Sequence, residues 1–413
     1  MKWCVVGFLL FMVMAIWPVS LSGQTFVWTQ TSAPNSSWIG IASSADGTKL
    51  AACFGYAGGG VYISTNTGSI WTKVNSPSVP NPWQNYAAMS CIASSADGRK
   101  LVIGSSNTGY STTNSGYVYA STDAGSTWTQ ANISGAWCWE DWSSIASTSN
   151  GMTVFATGYY NIFASTNYGV TWQFCDPSPN PPNPRGHWKT VVCSSDGMKL
   201  LATDLIQLFT STNAGANWSL TSAPSNQWSA IASSADGTKL VACNDYSIGR
   251  IYTSTNSGLN WMPTSAPSNT FWSAVTSSTD GTKLAACSYS GNIYFSTNSG
   301  STWTSNSFPT YVKGMATSAD GTKLFAVFYG GGISIGQLVV PAQNYSANFN
   351  GSGVNLQFTG APSCPYVLFA TTNLSPSVFW QPVVTNSTDA SGRWSFTDTN
   401  WSQYEQRFYT ASQ

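Results

Sequence analysis

Five carboxylates stand in segments where chemistry is conceivable: Glu140 and Asp141 in "ISGAWCWEDW", Asp176 in "CDPSPNPPNPRGHW", Asp204 after "KLLAT", and Asp245 in "CNDYSIGRIY". Two carboxyl groups roughly 5 to 9.5 Å apart can hydrolyse a glycosidic bond, one as acid and the other as nucleophile or base. Asp204 ends the second strand of one sequence repeat and Asp245 begins the equivalent loop of the next, so these two are the pair placed to converge. The competing expectation is that each caps a loop or faces water. The single histidine, His187, lies in "NPRGHW" between Arg185 and Lys189, a small cluster of positive potential. It reads more simply as part of an ion pair with Glu140, Asp141 or Asp176 than as a catalytic base. With one histidine and no CxxC, the sequence spells no zinc site and implies no cofactor.

Binding chemistry is written more densely. Most of the 20 tryptophans fall at repeated or terminal positions, but Trp83, Trp137 and Trp139 stand in long connecting segments. Tyr56, Tyr110, Tyr159, Tyr160, Tyr246, Tyr289 and Tyr329 lie in neighbouring loops. An aromatic, uncharged rim suits stacking on sugar faces, with hydroxyls and amides supplying hydrogen bonds. Large rings also serve simply to pin long loops. The candidate ligand-binding set is Trp83, Trp137, Trp139, Tyr56, Tyr159, Tyr160, Tyr246, Arg185 and His187, facing a glycan or an extracellular protein.

Charge is scarce. Asp, Glu, Lys and Arg make up 7% of 413 residues, 15 of each sign, against about a quarter in an average globular chain. Without a basic run there is no footprint for a phosphate backbone, which excludes nucleic acid as a partner. Residues 1–23 carry Lys2, an apolar run to Trp17, Pro18 and then small residues, the pattern of a secretory signal peptide. Its removal leaves no membrane span, so the mature chain is expected to be a secreted or cell-surface monomer. Export permits disulfides. Cys53, Cys243 and Cys287 nevertheless close the equivalent runs "KLAAC", "KLVAC" and "KLAAC" and read as buried thiols. Cys138 and Cys175, in irregular segments of adjacent repeats, are the candidate disulfide.

The elements that must position these residues are repeats. An apolar landmark precedes an Asp-Gly or Asn-Gly pair by eight residues at Trp38, Met89, Trp142, Trp188, Trp228, Trp272 and Val312. The spacing of 40 to 53 residues is that of a propeller blade. Each repeat reads as four short antiparallel strands joined by tight turns. The last repeat lacks its fourth strand, and "FVWTQTSAPNSSW" at the start copies "ANWSLTSAPSNQW", so the N-terminal strand is expected to close a seven-bladed ring.

A second motif punctuates six repeats: "STNTGSIW", "STDAGSTW", "STNYGVTW", "STNAGANW", "STNSGLNW" and "STNSGSTW". It places Asn66, Asp123, Asn167, Asn213, Asn256 and Asn298 at one position. With these boxes in phase with seven strand pairs, residues 24–340 resemble the Asp-box (BNR-repeat) propellers, which include sialidases, xyloglucan cellobiohydrolases and photosystem II stability-factor-like proteins. In that family the box is structural, and the resemblance implies the same here. It also implies limits. A sialidase needs an arginine triad, and this propeller has only Arg99, Arg185 and Arg250, with Arg99 on the turn side. The arginine-rich patch of the photosystem-related propellers is likewise missing.

Residues 341–413 abandon the box and read as a small β-sandwich resembling C-terminal modules of secreted bacterial proteins. The sequence therefore leads to an all-β chain, a propeller followed by a small β domain. Its expected role is non-catalytic binding through the variable loops, with a neutral glycoside hydrolase or a structural cell-surface protein as alternatives.

Overall fold

The computed structural model describes residues 25–55, 59–74, 87–107, 116–133, 141–158, 161–175, 187–245, 249–339, 343–349, 353–360, 364–373, 379–389, 391–400, 403–404 and 407–412. The chain separates into two compact units, Trp28–Gln337 and a second comprising Leu338–Gln413 with the segment up to Val27. Among the described residues no helix is long and apolar enough to cross a membrane.

The first unit is an all-β propeller whose sheets repeat one plan. In the sheet of Trp228, strands Trp228–Ser233, Leu240–Asn244, Ile251–Ser254 and Met262–Pro263 pair antiparallel in chain order. The sheets of Trp272 and Trp188 follow it. Alternation is weak in the second strands because both faces are covered: Leu240–Asn244 and Leu284–Ser288 are buried throughout. The landmark tryptophans Trp38, Trp142, Trp228 and Trp272 are at most 1% exposed. Trp38, Trp228 and Trp272 meet a tyrosine of the third strand edge-on, as in Trp272–Tyr294 at 5.0 Å.

The Asp-Gly turns bind one another. The amide after each turn serine donates to the carbonyl of the equivalent residue in the next repeat. The bonds run Ala45 to Ala96, Ser149, Ser195, Ala235, Thr279, Ala319 and back to Ala45, at 2.7–3.0 Å. Each turn is built alike: in "SSADGTKL" the Ser234 hydroxyl donates to Asp236 Oδ1 at 2.6 Å and accepts the Lys239 N–H at 3.0 Å. The first and last sheets also pair directly, Ser36 with Gly331 and Ser37 with Tyr329. Strand Thr25–Gln30 lies outermost beside Ile333–Val339. Trp28 packs edge-on against Phe308 at 5.1 Å.

The boxed turns are scaffold. Asn66, Asp123, Asn167, Asn213, Asn256 and Asn298 each accept, through Oδ1, the backbone N–H four residues on, at 2.8–2.9 Å. The preceding serine accepts the glycine N–H, as Ser121 does from Gly125 at 2.8 Å. The amide oxygen of Asn does what the carboxylate of Asp123 does, which is why charge is dispensable there. The residue before the glycine is also left-handed, including Tyr168 at φ 62° and Ala124 at φ 57°. The N–H of this left-handed residue donates back to the Asp-Gly turn of the same sheet, as Ala124 N to Arg99 O at 2.7 Å. Both regular turns therefore share one face, and among the described residues the opposite strand ends lead into the segments that vary.

Cys53, Cys91, Cys243 and Cys287 are buried free thiols, pushed up to about 12 by burial. Cys175 Sγ donates to Ala214 O at 3.3 Å, and its candidate partner Cys138 lies outside the described residues. In the second unit, one three-stranded sheet holds Gln343–Phe349, Val354–Thr359 and Arg393–Asp398. The other holds Gln381–Ser387, Pro365–Thr371 and Phe408–Ser412. They share a core centred on Phe358 stacked on Trp394 at 4.7 Å. A buried Asp398 there accepts the Tyr409 hydroxyl at 2.6 Å and pairs with Arg407 at 3.0 Å.

Candidate functional site

The variable face is organised by an irregularity at its inner rim. Where the first strand of a sheet meets the second, the register slips by one residue after the landmark, at Trp38, Met89, Trp228, Trp272 and Val312. The extra residue is Ile39, Ser90, Ser229, Ser273 or Lys313. A bulge re-aims the side chain it carries. Ser90 and Ser273 use it to donate to the landmark carbonyl of the next sheet, Trp142 O at 2.5 Å and Val312 O at 3.1 Å. Lys313 carries an ammonium on the equivalent bulge residue, and Lys189 follows Trp188 at the same position in the repeat, where the strands pair without a register slip.

Lys189 Nζ reaches Asp245 Oδ2 of the following repeat at 3.8 Å. Lys313 Nζ lies 5.9 Å from the centre of the Tyr311 ring. Tyr311 is stacked on Tyr289, centroids 4.8 Å apart and planes at 11°, and tilts toward Tyr329 at 6.5 Å. Burial first, and then the neighbouring Tyr289 phenol, push the Tyr311 phenol well above its ordinary range, with Asp245 also contributing. Tyr289 is 48% and Tyr329 51% exposed, and Phe271, whose carbonyl accepts the Tyr289 N–H at 2.9 Å, is 61% exposed. The arrangement offers free aromatic faces bordered by an ammonium, a carboxylate and phenol hydroxyls. Such a surface can stack and hydrogen-bond.

The carboxylates are otherwise occupied. Asp204 is 6% exposed, and its Oδ1 accepts the Ile206 and Gln207 N–H groups, each at 2.6 Å. It caps its own loop. Asp245 is held by Lys189. Asp141 is exposed and His187 half-buried. Trp83, Trp137, Trp139, Tyr56, Tyr110, Tyr159, Tyr160, Tyr246, Arg185, Glu140 and Asp176 lie outside the described residues.

Tyr289 and Tyr329 were among the aromatics that the loops suggested. Tyr311, Phe271, Lys189 and Lys313 were not assigned to the binding set. A signal for the lysines existed: both directly follow the landmark residue, where other repeats carry Ser or Ile. For Lys313, reading it required knowing that this position is a bulge.

No protein-family model and no curated protein matches the sequence. Solved structures match as folds. A GH74 xyloglucanase from Xanthomonas campestris superposes with a TM-score of 0.59 at 13% identity over 82% of this chain. This chain spans 60% of that enzyme's length. YCF48 from Cyanidioschyzon merolae gives 0.58 at 15% identity, over 75% of this chain and 98% of that one. YCF48 bound to D1 peptide gives 0.55 at 13% identity, over 77% and 98%. These likenesses establish a propeller and carry no activity across.

Proposed function

We propose that this chain is an exported, seven-bladed Asp-box propeller, closed by its N-terminal strand and followed by a small β domain, that binds a glycan or protein ligand without transforming it. The observation that carries the reading is the contrast on the variable face. Tyr289, although stacked on Tyr311 on one side, and Tyr329 are each about half exposed, while Asp204 and Asp245 are committed to backbone amides and to Lys189. Glycosidic hydrolysis needs one carboxyl group that can hold a proton and a second that can attack or activate water. Asp204 Oδ1 is taken up by two backbone amides and Asp245 lies against the Lys189 ammonium, so neither is presented to protonate a leaving oxygen or to attack a sugar carbon. The cycle of turn hydrogen bonds and the direct pairing of first and last sheets support ring closure.

The second reading, a neutral glycoside hydrolase, draws support from the likeness to a xyloglucanase, and the peptide-bound YCF48 gives the protein-ligand version its precedent. A glycan array of the mature protein, followed for both retention and release of reducing ends, separates the two. Retention with no release is expected. Release that disappears in Asp245→Asn would replace the binding module with the hydrolase.

A further inference from the structure

The repeats supply an internal control that sharpens the site. Four equivalent hydrogen bonds align the inner rim of four consecutive sheets: Asp245 N to Gln227 O at 3.2 Å, Tyr289 N to Phe271 O at 2.9 Å, Tyr329 N to Tyr311 O at 3.0 Å, and Gly55 N to Ser37 O at 3.3 Å. The order around the ring follows from the turn cycle, in which Ala235, Thr279, Ala319 and Ala45 succeed one another. The same backbone pairing is thus made by Gln–Asp, by Phe–Tyr, by Tyr–Tyr and by Ser–Gly. The fold does not ask for aromatic rings at this place. Two neighbouring repeats carry them on both strands, and leave Phe271, Tyr289 and Tyr329 about half or more exposed. On one side stands the Lys189–Asp245 pair. On the other, Tyr329 faces Ser37 across the strand pairing and is followed by Gly330, around which a side chain would find open space.

We infer that this arc, from Asp245 across Tyr289 and Tyr329 to Ser37, is a track for a neutral hexopyranose chain. The inference rests on the binding reading above and names its ligand class. Three features select it. Fixed charge on the track is sparse, since Lys189 is matched by Asp245 and Lys313, beside the Tyr311 ring, is the one named ammonium left over, so ionic attraction is not the main source of binding there. Tyrosines rather than aliphatic side chains form the platforms, which gives a flat apolar face with a hydroxyl at its edge. That matches a pyranose ring, apolar on its C–H face and polar at its rim. Finally, the platforms recur with the repeats, and a recurring surface suits a ligand with a repeat of its own. A peptide laid on a propeller by strand addition would instead be held by main-chain hydrogen bonds along a sheet edge and would have no use for exposed aromatic rings.

The test is affinity electrophoresis and calorimetry of the full mature chain against soluble β-glucan, soluble β-mannan, polygalacturonate and a random peptide library. Binding is expected to at least one neutral polysaccharide, with affinity unchanged between about 0.05 and 0.5 M salt. Tyr289→Ala and Tyr329→Ala should each weaken it about tenfold or more, and Tyr289→Phe and Tyr329→Phe should keep it within about threefold. Phe271→Ser, at an exposed position, gives an arm that does not disturb the stacked pair. Preference for polygalacturonate, or capture of peptides with loss in the tyrosine variants, would overturn the ligand class and leave the binding face standing. Neutral glycan binding indifferent to Tyr289, Tyr329 and Phe271 would overturn the track. Failure to retain any probe would overturn the binding reading along with it.

Discussion

Replacing Trp172 and Trp128 with alanine, in parallel, tests whether repeated sequence positions are energetically equivalent. Both are the final tryptophan of a box. Trp172 is 3% exposed, tilts against Trp142 at 6.4 Å and donates Nε1–H to Gly169 O at 2.8 Å. Its sheet is widened by strand Asn132–Ile133, which pairs parallel with Thr171 and Trp172 and covers the ring's edge strand. Trp128 is half-buried, and its Nε1 finds no acceptor among the described residues. Removing a fully packed Trp costs about 3–5 kcal/mol, so Trp172→Ala belongs in that range. Trp128 is less completely buried and loses no hydrogen bond, so its removal should cost less, about 1.5–2.5 kcal/mol. With an unfolding entropy of about 2.1 cal/mol/K per residue over about 300 propeller residues, the shifts in Tm are about 5–8 °C and about 2–4 °C. Calorimetry of the propeller transition measures both. Equal shifts, or a larger one for Trp128→Ala, would refute the reasoning, because burial would then not be what distinguishes the two copies.

Three further outcomes follow from the turns. Asp123→Asn should stay within about 0.5 kcal/mol of the parent by urea melting, since five boxes already use Asn. Ser121→Ala strips the acceptor from the buried Gly125 N–H and should cost about 1–3 kcal/mol. The third outcome concerns acid. The Ser44 and Ser234 hydroxyls first, and the Thr48 and Thr238 amides next, lower Asp46 and Asp236 to about 2, below the ordinary aspartate value. A depressed folded value means the contribution is complete above about pH 4 and is lost as pH falls from about 4 to 2. Tm should therefore be level between pH 7 and 5 and decline below 4, and a level profile down to pH 2 would contradict these turn bonds.

Much of the fold was legible because it rests on local chemistry repeated many times. The box announces a turn through Ser and through Asn or Asp, each accepting a named amide within four residues, with Gly supplying one of those amides, and the Asp-Gly turn is built in the same local way. Such bonds need no distant partner, so the residue types alone specify them. Alternation and turn spacing then fix strands, and the period fixes the propeller. Other properties depend on distant partners. Whether Asp204 and Asp245 serve as a catalytic pair depends on what fills their lone pairs, and the fold supplies Ile206 and Gln207 amides to one and Lys189 of the previous repeat to the other. The bulge that re-aims Lys313 is a register slip between strands, and no residue type in "YVKGM" encodes it. Tyr289 and Tyr311 lie in successive repeats and stack only because the sheets are packed side by side. Sequence determined the turns, the strands and their repetition, since these are contacts of near neighbours. Only the tertiary structure decided which aromatic faces remain open and which charges are already paired, because those properties belong to residues that the ring brings together from different repeats.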